Sequence, residues 1–307
     1  MNKYKKLVSN TLIFAIGSFG SKILLLLLTR LYTGNINPGD NSTKELLEKV
    51  EQLSQELEKS HLRLHEENRQ VVETLQKEYN VRRIIGRCPA MRQVVAQALA
   101  IARRPINTLI LGPSGTGKEI FAKTIHYHSP RRDAPFVAVN CTAIPDSLFE
   151  SEMFGIEKGI ATGVNARKGL IEEASGGTLF LDELADMTLP NQAKLLRVLE
   201  EREVLRVGSS KPVSVDIKLI AATNANLEEA VRKGNFREDL YYRINVAEIR
   251  VPPLRDRGDD ILLLAQLFLE RHCAYMGRPR LSLSPAVCRQ LLQYGWPGNV
   301  RELNNEM

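Results

Sequence analysis

The sequence predicts an α/β fold, a parallel sheet covered on both faces by helices and followed by a small helical unit. The first observation is a set of short apolar runs: Thr108-Leu-Ile-Leu111, Phe136-Val-Ala-Val139, Thr178-Leu-Phe-Leu181 and Ile217-Lys-Leu-Ile-Ala-Ala222, with a more mixed run from Val246 to Val251. Strands that are apolar on both faces are those buried between two helical layers. The second is that helical patterns alternate with these runs, as a parallel sheet requires. After Pro252-Pro253 only helical patterns remain, from Asp259 to Met276 and from Pro285 to Tyr294. A last helix is expected after Pro297-Gly298-Asn299, but the sequence stops at Met307. That leaves barely two turns, short for a helix that must stand on its own propensity.

The 307 residues, 43% hydrophobic and 25% charged, suit a globular body with a real core, in one large unit or two. The net charge of +6 is not spread over that body. Lys3, Lys5, Lys6, Lys22 and Arg30 all precede the first acid, Asp40, so the rest is nearly balanced. A domain-wide nucleic-acid footprint is therefore excluded. Cys88, Cys141, Cys273 and Cys288 lie far apart, without the close pairs of a zinc or redox site, and read as reduced thiols.

The N-terminal segment has its own character. Basic Lys3, Lys5 and Lys6 precede apolar stretches from Leu7 to Ser21 and from Ile23 to Thr29, separated by Lys22. The joined stretch is long enough to cross a bilayer, so residues 1–33 are a candidate transmembrane segment that would anchor the chain to the membrane. Lys22 would have to face protein or water. A signal peptide fits less well, since no small-x-small cleavage site follows. Residues 1–40 also resemble the N-terminus of bacterial polysaccharide flippases, which suggests a fusion or rearranged gene rather than a transporter.

Asn35 to Ser42 reads as a linker. Over residues 43–80, Val50, Leu57, Leu64 and Val71 recur every seven residues, with Leu46 and Leu53 between them. Ser60, Glu67 and Thr74 then occupy the intermediate positions. The pattern reads as a coiled-coil linker that joins subunits, or as a solvated helix where the seam fades.

The first chemical signal is Gly112-Pro113-Ser114-Gly115-Thr116-Gly117-Lys118-Glu119, placed between a strand and a helix. Glycines there let backbone N–H groups converge on phosphate oxygens, the helix N-terminus adds positive potential, and Lys118 reaches the β- and γ-phosphates. A ligand-free glycine turn is the bland alternative, and the flanking strand and helix argue against it. The expected ligands are ATP and Mg2+. Glu119 stands where a Ser or Thr ordinarily binds magnesium, so Thr116 or a water would take that place. Further on, Gly177-Thr-Leu-Phe-Leu-Asp182-Glu183 is an apolar strand ending in two carboxylates. In phosphate-loop ATPases the first holds magnesium and the second polarises the attacking water.

Together with FVAVNCTAIPDSLFESEMFG, GTLFLDE, LLRVLEEREVLRVGSSKPV, AATN, FREDLYYRINV, PPLRDR and WPGNVREL, these motifs resemble the AAA+ domain of bacterial enhancer-binding proteins. Those proteins activate sigma-54 RNA polymerase. The resemblance runs from about Ile84 to Asn305. It implies an AAA+ three-layer parallel sheet over 84–252 and a truncated, incomplete helical lid over 253–307. It also implies an ATPase that works as a homo-oligomeric ring on sigma-54 RNA polymerase.

The resemblance implies roles as well. Ile85 and Gly86 would lie by the adenine, and Asn140 would hold or release Glu183. Asn224 would sense the γ-phosphate, while Arg301 would reach the nucleotide from the lid. Arg237 and Arg243 would serve as fingers for the neighbouring subunit's nucleotide, where forked guanidinium groups can stabilise the transferring phosphoryl group.

The loop that grips sigma-54 in the family is Gly-Ala-Phe-Thr-Gly-Ala, and here Gly159-Ile160-Ala161-Thr162-Gly163-Val164 stands in its place. Ala161 removes an aromatic contact of the kind that often dominates interfaces, which would weaken coupling to sigma-54 more than hydrolysis. No receiver or ligand-sensing pattern precedes the linker and no helix-turn-helix pattern follows the lid, so enhancer recognition has no visible basis in these residues. Two readings follow: a sigma-54-remodelling ATPase of the cytoplasm, tethered or not, and a nucleotide-binding interaction protein that poisons rings of intact relatives.

Overall fold

A computed structural model describes residues 86–157 and 166–307, with positions 56, 59, 60 and 63 in addition. The chain divides into two compact units, Met1–Gln70 and Val71–Met307. The candidate membrane segment over 1–33, Ile85, and the loop from Gly159 to Val164 lie outside the described residues. Among the described residues, no helix is long and apolar enough to cross a membrane. Of the linker, Glu56, Lys59, Ser60 and Arg63 are helical and exposed, while the apolar seam positions lie outside the described residues.

The second unit opens with α1 (Pro89–Ala102), whose first turn is capped by the Cys88 thiol accepting from the Met91 amide, with proline at the first helical position. There follow β1 (Thr108–Leu111), α2 (Lys118–Tyr127), β2 (Phe136–Asn140) and α3 (Asp146–Phe154). A small pair, β3 (Gly155–Ile156) and β4 (Arg167–Lys168), flanks the undescribed loop and leads to α4 (Leu170–Glu173) and β5 (Thr178–Asp182). Next come α5 (Leu189–Glu201), the hairpin of β6 (Glu203–Leu205) and β7 (Pro212–Ser214), and β8 (Lys218–Thr223). After α6 (Leu227–Arg232) and α7 (Glu238–Ile244), the last strand is β9 (Ala247–Arg250). Three helices complete the chain: α8 (Asp260–Tyr275), α9 (Pro285–Gln293) and α10 (Asn299–Glu306).

All five expected strands join one sheet in the order β2-β5-β8-β1-β9, and every pairing is parallel. The side chains divide by the period-two rule of a strand. Leu109, Leu179, Leu181, Leu219 and Ala221 enter one core, shared with α3, α5 and α7. Ile110, Phe180, Ile220 and Ala222 enter the other, with Met91 and Ala98 of α1 and Phe121 and Ile125 of α2. These are the three layers expected. The mixed run at 247–250 belongs to an edge strand, so one face of it meets solvent.

The helical unit has its own core of Leu254, Ile261, Leu264, Phe268, Leu291, Trp296 and Leu303. The short last helix persists because tertiary packing, not propensity, holds it: Leu303 is fully buried and Asn299 is 2% exposed. Helix length alone gives no sign of this support.

At the sheet edge where the strands begin, a buried basic group contradicts the simple apolar reading of β8. The Lys218 ammonium donates to the carbonyls of Ile101 (3.2 Å) and Arg104 (3.0 Å), closing the end of α1. Burial, and then the charge of Arg131, lower its pKa to about 8. Beside it, His126 is fully buried, with Nδ1 2.9 Å from the Thr178 hydroxyl and Nε2 without a close hydrogen-bond partner among the described residues. Burial first, then Lys218, pull its pKa from 6.5 to about 4, against weaker opposing pulls from the Ala134 backbone and then Asp133. The unfolded chain thus binds a proton near pH 6.5 that the native protein refuses until about pH 4. Stability is therefore lost as pH falls through that window, by about 3 kcal/mol in all. Urea unfolding from pH 7 to 4.5 should show this slope, and His126→Gln should flatten it; an equally steep slope in that variant would remove His126 as the cause.

Candidate functional site: a phosphate loop clasped by the helical unit

Because the strands run parallel, their C-terminal ends line one edge of the sheet, and the loops after them share it. That edge collects the Gly112–Lys118 loop after β1, Asn140 at the end of β2, Asp182 at the end of β5 with Glu183 just after it, and Asn224 after β8. Asn140 and Asp182 are register partners.

The loop has the backbone a phosphate cradle needs. Gly115 and Gly117 have φ of 76° and 99°, in the left-handed region where a side chain is costly. Lys118, 6% exposed, donates from Nζ to the Gly112 carbonyl at 3.0 Å and lies 3.9 Å from Glu183 Oε1. Glu183 itself is left-handed, with φ 51° and ψ 48°. For a non-glycine residue this is strain of about 1–2 kcal/mol, a cost found where function fixes the backbone. Its amide donates to Asp182 Oδ1 at 3.0 Å, which fixes the first carboxylate relative to the second.

A cleft of about 300 Å³ opens beside this loop. Of the residues expected from sequence, Ser114, Gly115, Gly117, Lys118, Glu119, Asp182, Glu183 and Arg301 line it. Phe268, Val300 and Asn304, all from the helical unit, line it too and were not foreseen. Glu119 pairs with Lys123 one turn along α2, at 2.8 Å. Asp182 and Glu183 bring two carboxylates to the cleft wall beside Lys118. Thr116 is 2% exposed, and its hydroxyl donates to the Pro113 carbonyl at 2.8 Å within the loop. No group of three or more potential metal ligands occurs among the described residues.

Other expected residues stand apart from the cleft. Asn140 Oδ1 accepts from the amide and hydroxyl of Thr142, at 2.9 and 2.7 Å, and has no hydrogen bond to Glu183 in this state. Asn224 is exposed just past β8. Arg237 caps α7, its guanidinium forked onto Asp239 at 3.0 and 2.6 Å. Arg243 donates to the Leu199 carbonyl at 2.8 Å. Neither arginine lines the cleft of its own chain. Next to Asn140, burial and then Asp182 push the Cys141 thiol up to about 12, leaving it protonated and inert.

Sequence reasoning missed the residues that tie the cleft together. Gly86 packs so tightly on Met91 that an added Cβ would fall 2.6 Å from the Met91 Cβ. The following amides, Arg87 and Cys88, donate to the two carboxylate oxygens of buried Asp260, at 2.7 and 3.1 Å. Buried Arg257 reaches the Thr116 and Pro252 carbonyls at 2.9 and 2.8 Å, and its burial lowers its pKa. Asn299 bonds the Ser114 carbonyl at 2.9 Å. Only the motifs PPLRDR and WPGNVREL could have flagged Arg257 and Asn299, since their partners lie far off in sequence.

Gly115 meets two demands at once. A Cβ there would sit 2.3 Å from the Gly298 carbonyl, so the glycine serves the approach of the helical unit as well as the phosphates. Gly115→Ala should cost more than about 1 kcal/mol of stability and expose the stretch between 252 and 299 to proteolysis. Unchanged melting and digestion would show that the approach is not tight.

Comparison with known proteins fits this geometry. Residues 84–250 match the sigma-54 interaction domain, and residues 255–307 match an AAA+ ATPase lid domain. The chain is 51% identical over 243 residues to the Nif-specific regulatory protein of Herbaspirillum seropedicae, covering 79% of this chain and 45% of that protein. It is 50% identical over 224 residues to the transcriptional regulatory protein XylR of Pseudomonas putida, covering 73% and 40% respectively. Crystal structures of NtrX from Brucella abortus align with a TM-score of 0.69. The ADP complex is 37% identical over 80% of this chain and 54% of that one, and an ATP complex is 36% identical. The chain thus spans about half the length of these relatives. The flippase likeness of residues 1–40 gains no support, as neither family match reaches them. With two matched domains and a cleft between strand ends and lid, the chain belongs to the sigma-54 interaction domain family, of AAA+ fold.

Proposed function

We propose that this chain is the ATP-hydrolysing AAA+ module of a sigma-54-dependent transcriptional regulator, acting as a ring that remodels sigma-54 RNA polymerase in the cytoplasm. The observation that carries the reading is the cleft in which the phosphate loop, Lys118, Asp182, Glu183 and Arg301 converge. Family membership favours it over the uncoupled binding protein.

In this reading the loop amides and Lys118 bind the β- and γ-phosphates, and Arg301 adds positive charge from the lid. Asp182 would hold magnesium, which when bound neutralises charge on the phosphates. Glu183, held in its left-handed turn, orients the attacking water. Asn140 would hold or release Glu183, and Asn224 would read the γ-phosphate. Ile85 and Gly86 would flank the adenine, and the bonds from Asp260 to the next two amides support that segment. Arg237 and Arg243 lie off their own cleft, as residues that complete a neighbour's site would. Thr162 and the glycines of the 159–164 loop would approach sigma-54, with the contact weakened at Ala161. Residues 43–80 would supply a coiled coil between subunits, and the lid over 253–307 would cover the site with Phe268, Val300 and Arg301.

ATP turnover should rise more steeply than linearly with protein concentration. Lys118→Ala should abolish it, while Glu183→Gln should keep ATP binding and lose about 10²-fold or more in rate. Turnover surviving in Lys118→Ala would sink the assignment of this cleft. With ATP and a transition-state analogue the chain should capture sigma-54, and Ala161→Phe should tighten that complex without changing turnover. A chain that hydrolyses ATP yet never binds sigma-54, even as Ala161→Phe, is not a remodeller.

A further inference from the structure

Three successive carbonyls of the phosphate loop are each held by a donor from the helical unit or its hinge. Ser114 O accepts from Asn299 Nδ2 at 2.9 Å, Gly115 O from the Val300 amide at 3.0 Å, and Thr116 O from Arg257 Nη2 at 2.9 Å. The donors are themselves fixed. Asn299, 2% exposed and left-handed at φ 55°, also accepts from the Leu254 amide at 2.8 Å through Oδ1. Arg257, 3% exposed, grips the Pro252 carbonyl at the hinge with the same guanidinium.

In a planar trans peptide the carbonyl of one residue and the amide of the next point to opposite sides. Pulling the carbonyls of Ser114, Gly115 and Thr116 toward the helical unit therefore turns the amides of Gly115, Thr116 and Gly117 the other way. Those amides are the ones a phosphate would accept bonds from in a cradle of this kind. Among the described residues, the one competing bond on them is long, from Thr116 N to the Pro113 carbonyl at 3.4 Å.

We propose that Asn299 and Arg257 are positioning residues that set the loop amides for phosphate, so that lid docking and phosphate affinity are coupled. The proposal rests on the ATPase reading above and adds to it a route between lid and loop that runs through backbone direction. Neither side chain need touch the nucleotide. Coupling of this kind is reciprocal, so a bound phosphate strengthens lid docking by the factor by which docking strengthens phosphate binding.

The test compares ligands that differ only in phosphate. Calorimetry with ADP and with adenosine is run on the wild-type chain, on Asn299→Gly, which tolerates the left-handed backbone, and on Arg257→Lys, which keeps the charge but loses the fork. Each variant should weaken ADP by about tenfold, the size expected for one or two lost buried hydrogen bonds, and leave adenosine within about twofold. Circular dichroism identifies which variants are folded, and one folded variant is enough to decide. Equal losses for ADP and adenosine would mean a general structural role and overturn the proposal, as would unchanged ADP affinity in a folded variant. If both variants unfold, hydrogen exchange of the Arg301→Ala chain decides: ADP, but not adenosine, should slow exchange of the Val300 amide, and no difference overturns the proposal. A wild-type chain that binds neither ADP nor ATP would overturn the ATPase reading and the latch with it. Normal wild-type binding with indifferent variants would overturn the latch alone.

Discussion

The peptide groups from Ser114 to Gly117 are under constraint from two sides. Their amides face the place where phosphates would sit, and their carbonyls are taken by Asn299, Val300 and Arg257. Backbone polar groups in a tight loop must find partners, and here half of them find those partners in the helical unit. Gly115, left-handed at φ 76°, has no room for a Cβ, because the Gly298 carbonyl stands over it. The rest of the site depends on this clasp. The lid is not an ornament on a finished phosphate site but one wall of it, carrying Phe268, Val300 and Arg301 into the cleft.

The sheet supplies the other wall, and its parallel order is what makes a site out of scattered residues. Each strand delivers its last residue to the same edge, so Lys118, Asp182 and Glu183 meet although they come from different strand ends. The opposite edge is purely structural. There Lys218 and His126 are buried where they terminate α1 and abut β5, and both lose basicity because solvent is excluded. Polar residues at the two edges thus do opposite work. At the cleft Asp182 and Glu183 remain partly exposed, and at the far edge Lys218 and His126 are buried.

Much of this was legible in the residues. The four apolar runs and the mixed one became the five strands of the main sheet, because a strand buried between helical layers leaves a nearly continuous apolar run and an edge strand a mixed one. The phosphate loop and the two carboxylates of the β5 end were legible because each motif is local: its glycines, lysine or acids do their work within a few positions. By length alone the last helix is too short to stand. It stands on Leu303 and Asn299, whose burial depends on elements far off in sequence. The bond from the Thr116 hydroxyl to the Pro113 carbonyl within the same turn is likewise seen only in the folded loop.

The sequence by itself determined the layered α/β architecture, the nucleotide loop and the family, since local periodicity and contiguous motifs encode all three. Tertiary structure alone decided that Asn299 and Arg257 bond the phosphate loop and that Asp260 bonds the segment before α1. Their partners at Ser114, Thr116 and the amides of Arg87 and Cys88 are 141 to 185 residues away. A hydrogen bond to a backbone carbonyl leaves no mark on the identity of the residue that owns the carbonyl. Only the folded chain could show which donors the phosphate loop had been given.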